Sequence, residues 1–270
     1  MKEQKKYSLA YLTIPGTHPV DQIEIAESCG YDGVSLRTIS MQLPGEPDYH
    51  LAGTDTLKEV KSALRRTGLR CFDVELGRVG DGLDVRSYEP ELAAAQELGA
   101  EYVISSFWTA DRTFAIQQEQ QLCDLAAKYN MKVNLEFMSF SELPDLQEAL
   151  RVVSAVDRSN LRILVDLLHI YRAKNSPEEL SEVPAGLLGF AHLCDGPAEI
   201  PPVDSPEMKR VAREDRYYMG DGGIDCAAYL AAMPELPYYS IELPNLKHME
   251  RYGKRGHAKR CIEAAKRICG

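Results

Sequence analysis

Strand-like and helix-like patterns alternate along this chain from one end to the other. No other feature restricts its fold as strongly. YSLAYLTI (7–14) is rich in β-formers, and VDQIEIAESCG (20–30) has apolar residues at helical spacing and closes on Gly. GVSLR (33–37) reads as a short strand. TDTLKEVKSALRRTG (54–68) opens on a Thr or Asp cap and ends on Gly, as helix boundaries require. The alternation continues with a strand at 70–76 and a helix at 87–99, which has Pro90 in its first turn. A strand at 101–107 and a helix at 111–129 follow, then a strand at 132–137 and a helix at 143–154. A strand at 162–168 precedes a short helix near 177–182. The strand at 189–195 leads into a long irregular segment, 196–223, and a helix near 225–232. The last pair is a strand at 238–243 and a helix at 247–268.

Strict alternation implies parallel strands joined by helical crossovers. Eight such pairs in about 250 residues fit an α/β fold of the (β/α)8 TIM barrel type. A doubly wound open sheet is the rival, but no GxGxxG follows the first strand. No linker, low-complexity tract or composition break divides the chain, so residues 1–270 are expected to form a single domain.

A hydrophobic content of 44% with 27% charged residues suits a soluble protein with a real core. The net charge of −10 argues against sequence-independent nucleic-acid binding, which needs a basic surface. The most apolar runs, about a dozen residues, are too short to span a bilayer, so no membrane partner is expected. MKEQKKYSLAYL at the start has no h-region or small-residue cleavage site and is not expected to act as a signal peptide. Lys2, Lys5 and Lys6 within it read as a solvated tail. The seven cysteines are odd in number and none shows CxxC spacing. They read as small buried hydrophobes in a reducing cytoplasm.

Four side chains stand where strands should be ending: Glu136 in VNLEF, Asp166 in RILVDLLH, His192 in GFAHLCD and Glu242 in YYSIEL. Burying a carboxylate at the end of an apolar strand is costly unless something neutralises it. Singly, each is more often a strand-end charge paired with an Arg. Four on the fifth to eighth strands, at the barrel end where enzymes of this fold place their sites, favour one shared neutraliser. Three carboxylates and an imidazole suit one divalent metal ion, Mn²⁺, Mg²⁺, Co²⁺ or Zn²⁺.

Other residues share that mouth. Arg37 and Glu75 end the second and third strands and offer either hydroxyl binding or a mutual ion pair. Trp108 follows the fourth strand, as an apolar wall against a sugar face or as a cover for the core. His18 reads as a loop histidine, and His50, His248 and His257 carry no assignment.

LEFM around Glu136, VDLLH with Asp166 and His169, AHLCDGP around His192, IELPN around Glu242 and the helical ending HAKRCIEAAKRI resemble the sugar phosphate isomerase/epimerase family. These are the xylose isomerase-like barrels that include ketose 3-epimerases and inosose isomerases. The resemblance covers essentially the whole barrel; its motifs are specific for the superfamily and weak on substrate. It implies a metal held by Glu136, Asp166, His192 and Glu242. It also implies that Glu136 and Glu242 move protons at carbon while His169 and Arg216 hold substrate oxygens. Glu75 and Trp108 are further substrate-binding candidates.

Arg216 lies in REDRYYMGDGGID; the family has a Pro-Gly turn shortly after its Arg, and here Met219 replaces the Pro while Gly220 remains. Arg213 competes for the same role, and surface charges on a mobile loop are the plain alternative. A connection as long as 196–223 is often a lid or binding loop. Dehydroshikimate dehydratases share the barrel and ligand set, but that branch carries a His two places after the first Glu, where this chain has Met138. No Gly-rich helix start of the P-loop kind appears, so an unphosphorylated polyol or keto-sugar is the expected small-molecule partner.

These residues lead to a metal-dependent isomerase or epimerase acting on a ketose, keto-inositol or related hydroxy-carbonyl compound through an enediolate. The alternatives are a lyase or dehydratase using the same enolate, and a non-catalytic sugar-binding barrel. A metal-dependent endonuclease of the related barrels needs more ligands and a basic face, which the acidic balance disfavours. A homo-oligomer is compatible with the sequence.

Overall fold

The computed structural model describes residues 4–41 and 46–270. Eight strands, β1 (Tyr7–Ala10), β2 (Gly33–Arg37), β3 (Arg70–Gly80), β4 (Tyr102–Trp108), β5 (Lys132–Glu136), β6 (Leu161–Asp166), β7 (Leu188–Leu193) and β8 (Tyr239–Ile241), close in chain order into one parallel barrel. The expected (β/α)8 barrel is therefore the fold. The helices around it are α1 (Pro19–Cys29), α2 (Asp55–Thr67), α3 (Glu89–Leu98), α4 (Arg112–Lys128), α5 (Leu146–Val156), α6 (Leu167–Arg172), α7 (Pro177–Ser181), α8 (Pro206–Glu214), α9 (Cys226–Ala232) and α10 (Leu246–Cys269). The glycine stops mark real ends: Gly30 and Gly99 follow α1 and α3 in the left-handed region, at φ 82° and 79°, where a Cβ is penalised.

The strands are buried on both faces, as parallel strands covered by helices must be. Outward-facing Val34, Val74, Val103, Val133 and Ile163 pack in the shell beneath the helices. Inside, Phe72, Tyr102, Phe190 and Tyr238 form a second cluster, with Tyr238 stacked on both Phe72 and Phe190 at 4.4 Å. Three of these four lie at or near the starts of their strands, so this aromatic plug floors the barrel. The strand ends above it are left to polar side chains.

Four expectations are corrected in detail. β1 stops at Ala10 instead of 14, because Tyr11–Thr13 turn into a 3₁₀ helix; the Thr13 hydroxyl then donates to Ile241 O and accepts from Leu243 N. β3 runs on to Gly80, past 76, because a register shift between Val74 and Gly77 lets it continue beside β4. β6 ends at Asp166, since that side chain caps α6 by accepting from Leu168 N and His169 N. The segment 196–223 contains α8, capped by Ser205 with Pro206 in its first turn.

Among the described residues no helix is long and apolar enough to cross a membrane. All seven cysteines are free; six are buried and Cys269 is partly exposed.

Candidate metal centre

Strand register carries the four candidate ligands to one place. Asp166 on β6 is the partner of His192 on β7, and His192 is the partner of Ser240 on β8, two residues before Glu242. Glu136 ends β5 beside Leu164, again two residues before Asp166. Side chains two apart share a face of a strand, so all four turn inward at the same end. One donor atom from each lies within 4.8 Å of the other three, and all four residues are buried. His192 Nδ1 stands at the centre, 3.3 Å from Glu136 Oε1, 3.5 Å from Glu242 Oε2 and 3.7 Å from Asp166 Oδ2.

Arg216 bridges two members of the cluster. Its Nη1 donates to Asp166 Oδ2 at 2.6 Å, and its Nη2 to Glu242 Oε2 at 2.9 Å. Nε is tied to Ala212 O at 2.8 Å, and the side chain is only 2% exposed. Asp166 therefore divides its oxygens: Oδ1 caps α6, and Oδ2 faces the cluster.

The charges follow from this geometry. Burial alone would lower the His192 pKa, but Glu242, Glu136 and Asp166 together raise it to about 10. Burial works to raise the Asp166 carboxyl; Arg216 and the two histidines outweigh it and hold the carboxyl well below the usual range. The Glu242 carboxyl goes up, mainly through burial, with His192 and Arg216 opposing. His169 is pushed down to about 3, chiefly by burial, so its ring is neutral at physiological pH.

With a neutral imidazole, three carboxylates against one guanidinium leave two uncompensated negative charges. A buried set of three carboxylate oxygens and one imidazole nitrogen with that excess fits a divalent cation of the Mg–Mn–Zn kind.

A cleft opens above the cluster. Glu136, Glu242, Arg216 and His169 line one part of it, while Asp166 and His192 do not face it. Apolar side chains, Trp108, Met138, Phe140 and Leu12 among them, make up another part of its lining. Trp108 donates Nε1–H to Ser106 Oγ at 2.8 Å, which ties down the polar edge of the indole. The Phe140 ring meets His169 edge-on, with centroids 5.4 Å apart. Across the cleft Arg37 and Glu75 pair at 3.0 Å, so of the two readings left open the ion pair is formed, and both residues line the same space. Arg213, on α8, also lines it. His18 is outside this cleft; it caps α1.

Asp195, Asn245 and Phe140 had no place in the sequence reading. Asp195 is fully buried and accepts four backbone N–H groups, from Gly196, Gly220, Gly222 and Ile224, at 2.7–3.1 Å. These bonds fold the loop that carries Arg216. Gly222 is required there, because a Cβ would come within 2.3 Å of Asp195 Oδ1. Asn245 caps α10 and holds Arg216 O at 2.9 Å. Asp195 and Asn245 sit inside AHLCDGP and IELPN; the signal was present, but a buried acceptor of backbone N–H groups looks in sequence like any loop Asp or Asn.

A parallel barrel with a buried acidic, histidine-containing cluster at the carboxyl ends of its strands defines a barrel with a cluster that could hold a metal ion. The chain belongs to the xylose isomerase-like TIM barrel family, whose sequence model matches residues 23–267. Among curated proteins it is similar to an inosose isomerase of Bacillus subtilis (strain 168), 23% identical over 257 residues, covering 91% of this chain and 89% of that protein. A 3-dehydroshikimate dehydratase of Bacillus anthracis is 25% identical over 197 residues, covering 64% and 65%. Among solved structures, the IolI protein with a bound zinc atom superposes with a TM-score of 0.80 at 16% identity, covering 98% of each chain. A D-allulose 3-epimerase from Methylomonas sp., in complex with D-allulose, gives 0.70 at 16% identity, also covering 98% of each.

Proposed function

We propose that this protein is a divalent-metal-dependent isomerase or epimerase of an unphosphorylated hydroxy-carbonyl compound, a ketose or keto-inositol. One observation carries the reading. Of the four clustered side chains, the two glutamates face the cleft while Asp166 and His192 lie beneath them. The metal would be held by Glu136, Asp166, His192 and Glu242, and the zinc in the IolI structure supports zinc beside manganese, magnesium and cobalt. When bound there, the ion would supply Lewis-acid polarisation of a carbonyl and its neighbouring hydroxyl.

The chain's own groups do the rest. Glu136 and Glu242 come from β5 and from the end of β8, so their carboxylates approach the cleft from different sides. One takes the proton from the carbon beside the carbonyl. The other, carrying a proton of its own, delivers that proton to the opposite face, which gives epimerisation; return by the first group to the neighbouring carbon gives isomerisation. Arg216, fixed between Asp166 and Glu242, faces the negative charge that develops on the enediolate oxygens. Neutral His169 offers Nδ1, which has no partner among the described residues, to a substrate hydroxyl. Trp108 and Phe140 cover the apolar face of a ring or chain.

The dehydratase relative makes elimination from the same enolate the second reading. Against it stands Met138, an apolar wall of the cleft at the place where that branch has a His. Six buried, unpaired cysteines support a reducing cytoplasm.

The test is turnover of a panel of ketoses and inososes by metal-loaded protein. Wild type should isomerise or epimerise at least one. Glu136→Gln and Glu242→Gln, at saturating metal, should each lose about 10²–10⁴-fold in kcat, the usual contribution of a positioned acid or base. A wild-type rate in either variant overturns the two-glutamate assignment, and water elimination from the substrate selects the dehydratase reading.

A further inference from the structure

Glu75 sits on β3, across the mouth from the strands that carry the clustered carboxylates and His192. In the closed order β1 to β8, β3 lies opposite β7. Its Oε2 accepts from Arg37 Nη2 at 3.0 Å. Arg37 is itself fixed, by Glu46 Oε1 at 2.9 Å and by the Tyr11 ring, whose centroid lies 4.8 Å away. The carboxylate therefore cannot swing out to water. Its second oxygen, Oε1, is buried and has no hydrogen-bond partner among the described residues. Leaving such a group unpaired is unfavourable, and native proteins rarely do so without a use for it. The side chain is 2% exposed and lines the cleft shared with Glu136 and Glu242. An occupant of that cleft is what would complete its hydrogen bonding.

We propose that Glu75 is a specificity-determining residue whose Oε1 hydrogen-bonds a substrate hydroxyl remote from the reacting carbonyl. The substrate class is then a neutral, ring-sized polyol ketone. β3 lies opposite β7, so a ligand held at Glu136 and Glu242 that also meets Glu75 extends over the mouth and carries a hydroxyl beyond those at the reacting carbons. Three glutamates, Glu75, Glu136 and Glu242, and three arginines, Arg37, Arg213 and Arg216, line the cleft, so its lining is balanced in charge and suits a neutral ligand. A hydroxyl satisfies the carboxyl group whether it is ionised or protonated, since a hydroxyl both donates and accepts. This inference rests on the function proposed above and narrows it to inosose-like rings.

Trp108 is the only tryptophan of the chain and lines the same cleft, so its fluorescence reports binding without turnover. The zinc-loaded protein is titrated with myo-inositol and with each monodeoxy-inositol. Wild type should bind one monodeoxy compound about ten- to a hundred-fold more weakly than myo-inositol, the loss expected for a hydrogen bond to a charged group. Glu75→Met, which removes the acceptor at similar length, should show the same loss for myo-inositol and none further for that deoxy compound. Glu75→Gln should recover part of it. Equal wild-type affinity across the deoxy series, no binding of any inositol, or unchanged affinity in Glu75→Met overturns the proposal. The deoxy series on wild type needs no variant, and circular dichroism checks the fold of the variants. Inosose or ketose turnover is scored separately. Turnover without hydroxyl selection refutes this inference alone, and hydroxyl selection without turnover refutes the isomerase reading alone.

Discussion

His192 holds the proton that a metal bound in the proposed site would have to displace. Surrounded by Glu242, Glu136 and Asp166, its imidazole is charged at neutral pH in the metal-free protein. A metal ligand must be neutral imidazole, so uptake should expel that proton. Calorimetric titration with zinc near neutral pH, in buffers of different ionisation enthalpy, should show release of about one proton per ion; no release would contradict the arrangement. A second buried acid is independent of the site. Glu119 on α4 accepts from Ser105, and burial pushes its carboxyl up to about 7. Its folded pKa exceeds its unfolded one. The stability of its protonated form is therefore complete below the ordinary glutamate range and is lost as the pH rises to about 7, in all about 3 kcal/mol. Glu119→Gln stays neutral, so its stability relative to wild type should improve by up to that amount between about pH 5 and about pH 8. Urea unfolding at both pH values checks this, and a pH-independent difference would contradict it. The four cluster residues were legible because an acid or histidine closing an apolar strand is conspicuous. The Arg37–Glu75 pair was only half legible, because both readings of it needed the β2–β3 register.

The loop and helix after β7 decide where Arg216 sits. Asp195, at the end of β7, gathers four backbone N–H groups of that loop, and Asn245 ties Arg216 O to the start of α10. Asp195→Ala should remove about 2–5 kcal/mol of stability, the range for deleting one partner of a buried, charged hydrogen-bonded set. It should also expose 196–223 to proteolysis and lower kcat through a displaced Arg216. Wild-type protease resistance and melting temperature would contradict that role. Much of this element was hidden in the sequence. Long, Gly-rich and charged, the segment reads as irregular, and only Ser205-Pro206 signalled α8. The same competition between levels moved the end of β6: its apolar run continues through Leu168, but the capping carboxylate of Asp166 starts α6 at once.

The barrel itself was the most legible level, because eight strand and helix periods with glycine stops admit few topologies. What the periods do not carry is which side chains meet across the mouth, since that depends on the closure of β8 against β1. Closure puts the carboxylates of three strands within reach of one ion, and the ion should then hold the barrel mouth together. At a hundred-fold excess over its Kd a ligand adds about 2.7 kcal/mol of stability. Chelation should accordingly lower the melting temperature by roughly 5–10 °C, and His192→Ala should melt at the same temperature with and without zinc. Scanning calorimetry decides it; a metal-independent wild type would contradict a site in the cluster.

Proton transfer by two glutamates beside a carbonyl is the central claim, and solvent isotope incorporation tests it most directly. The metal-loaded protein is incubated in D₂O with the ketose or inosose it turns over, and the product is read by NMR. Deuterium should enter at the carbon adjacent to the carbonyl at a rate comparable with turnover, and this exchange should vanish on chelation and in Glu136→Gln and Glu242→Gln. An epimerised product formed at the normal rate with only protium at that carbon would contradict delivery of the second proton by the opposite glutamate, and with it the two-glutamate account.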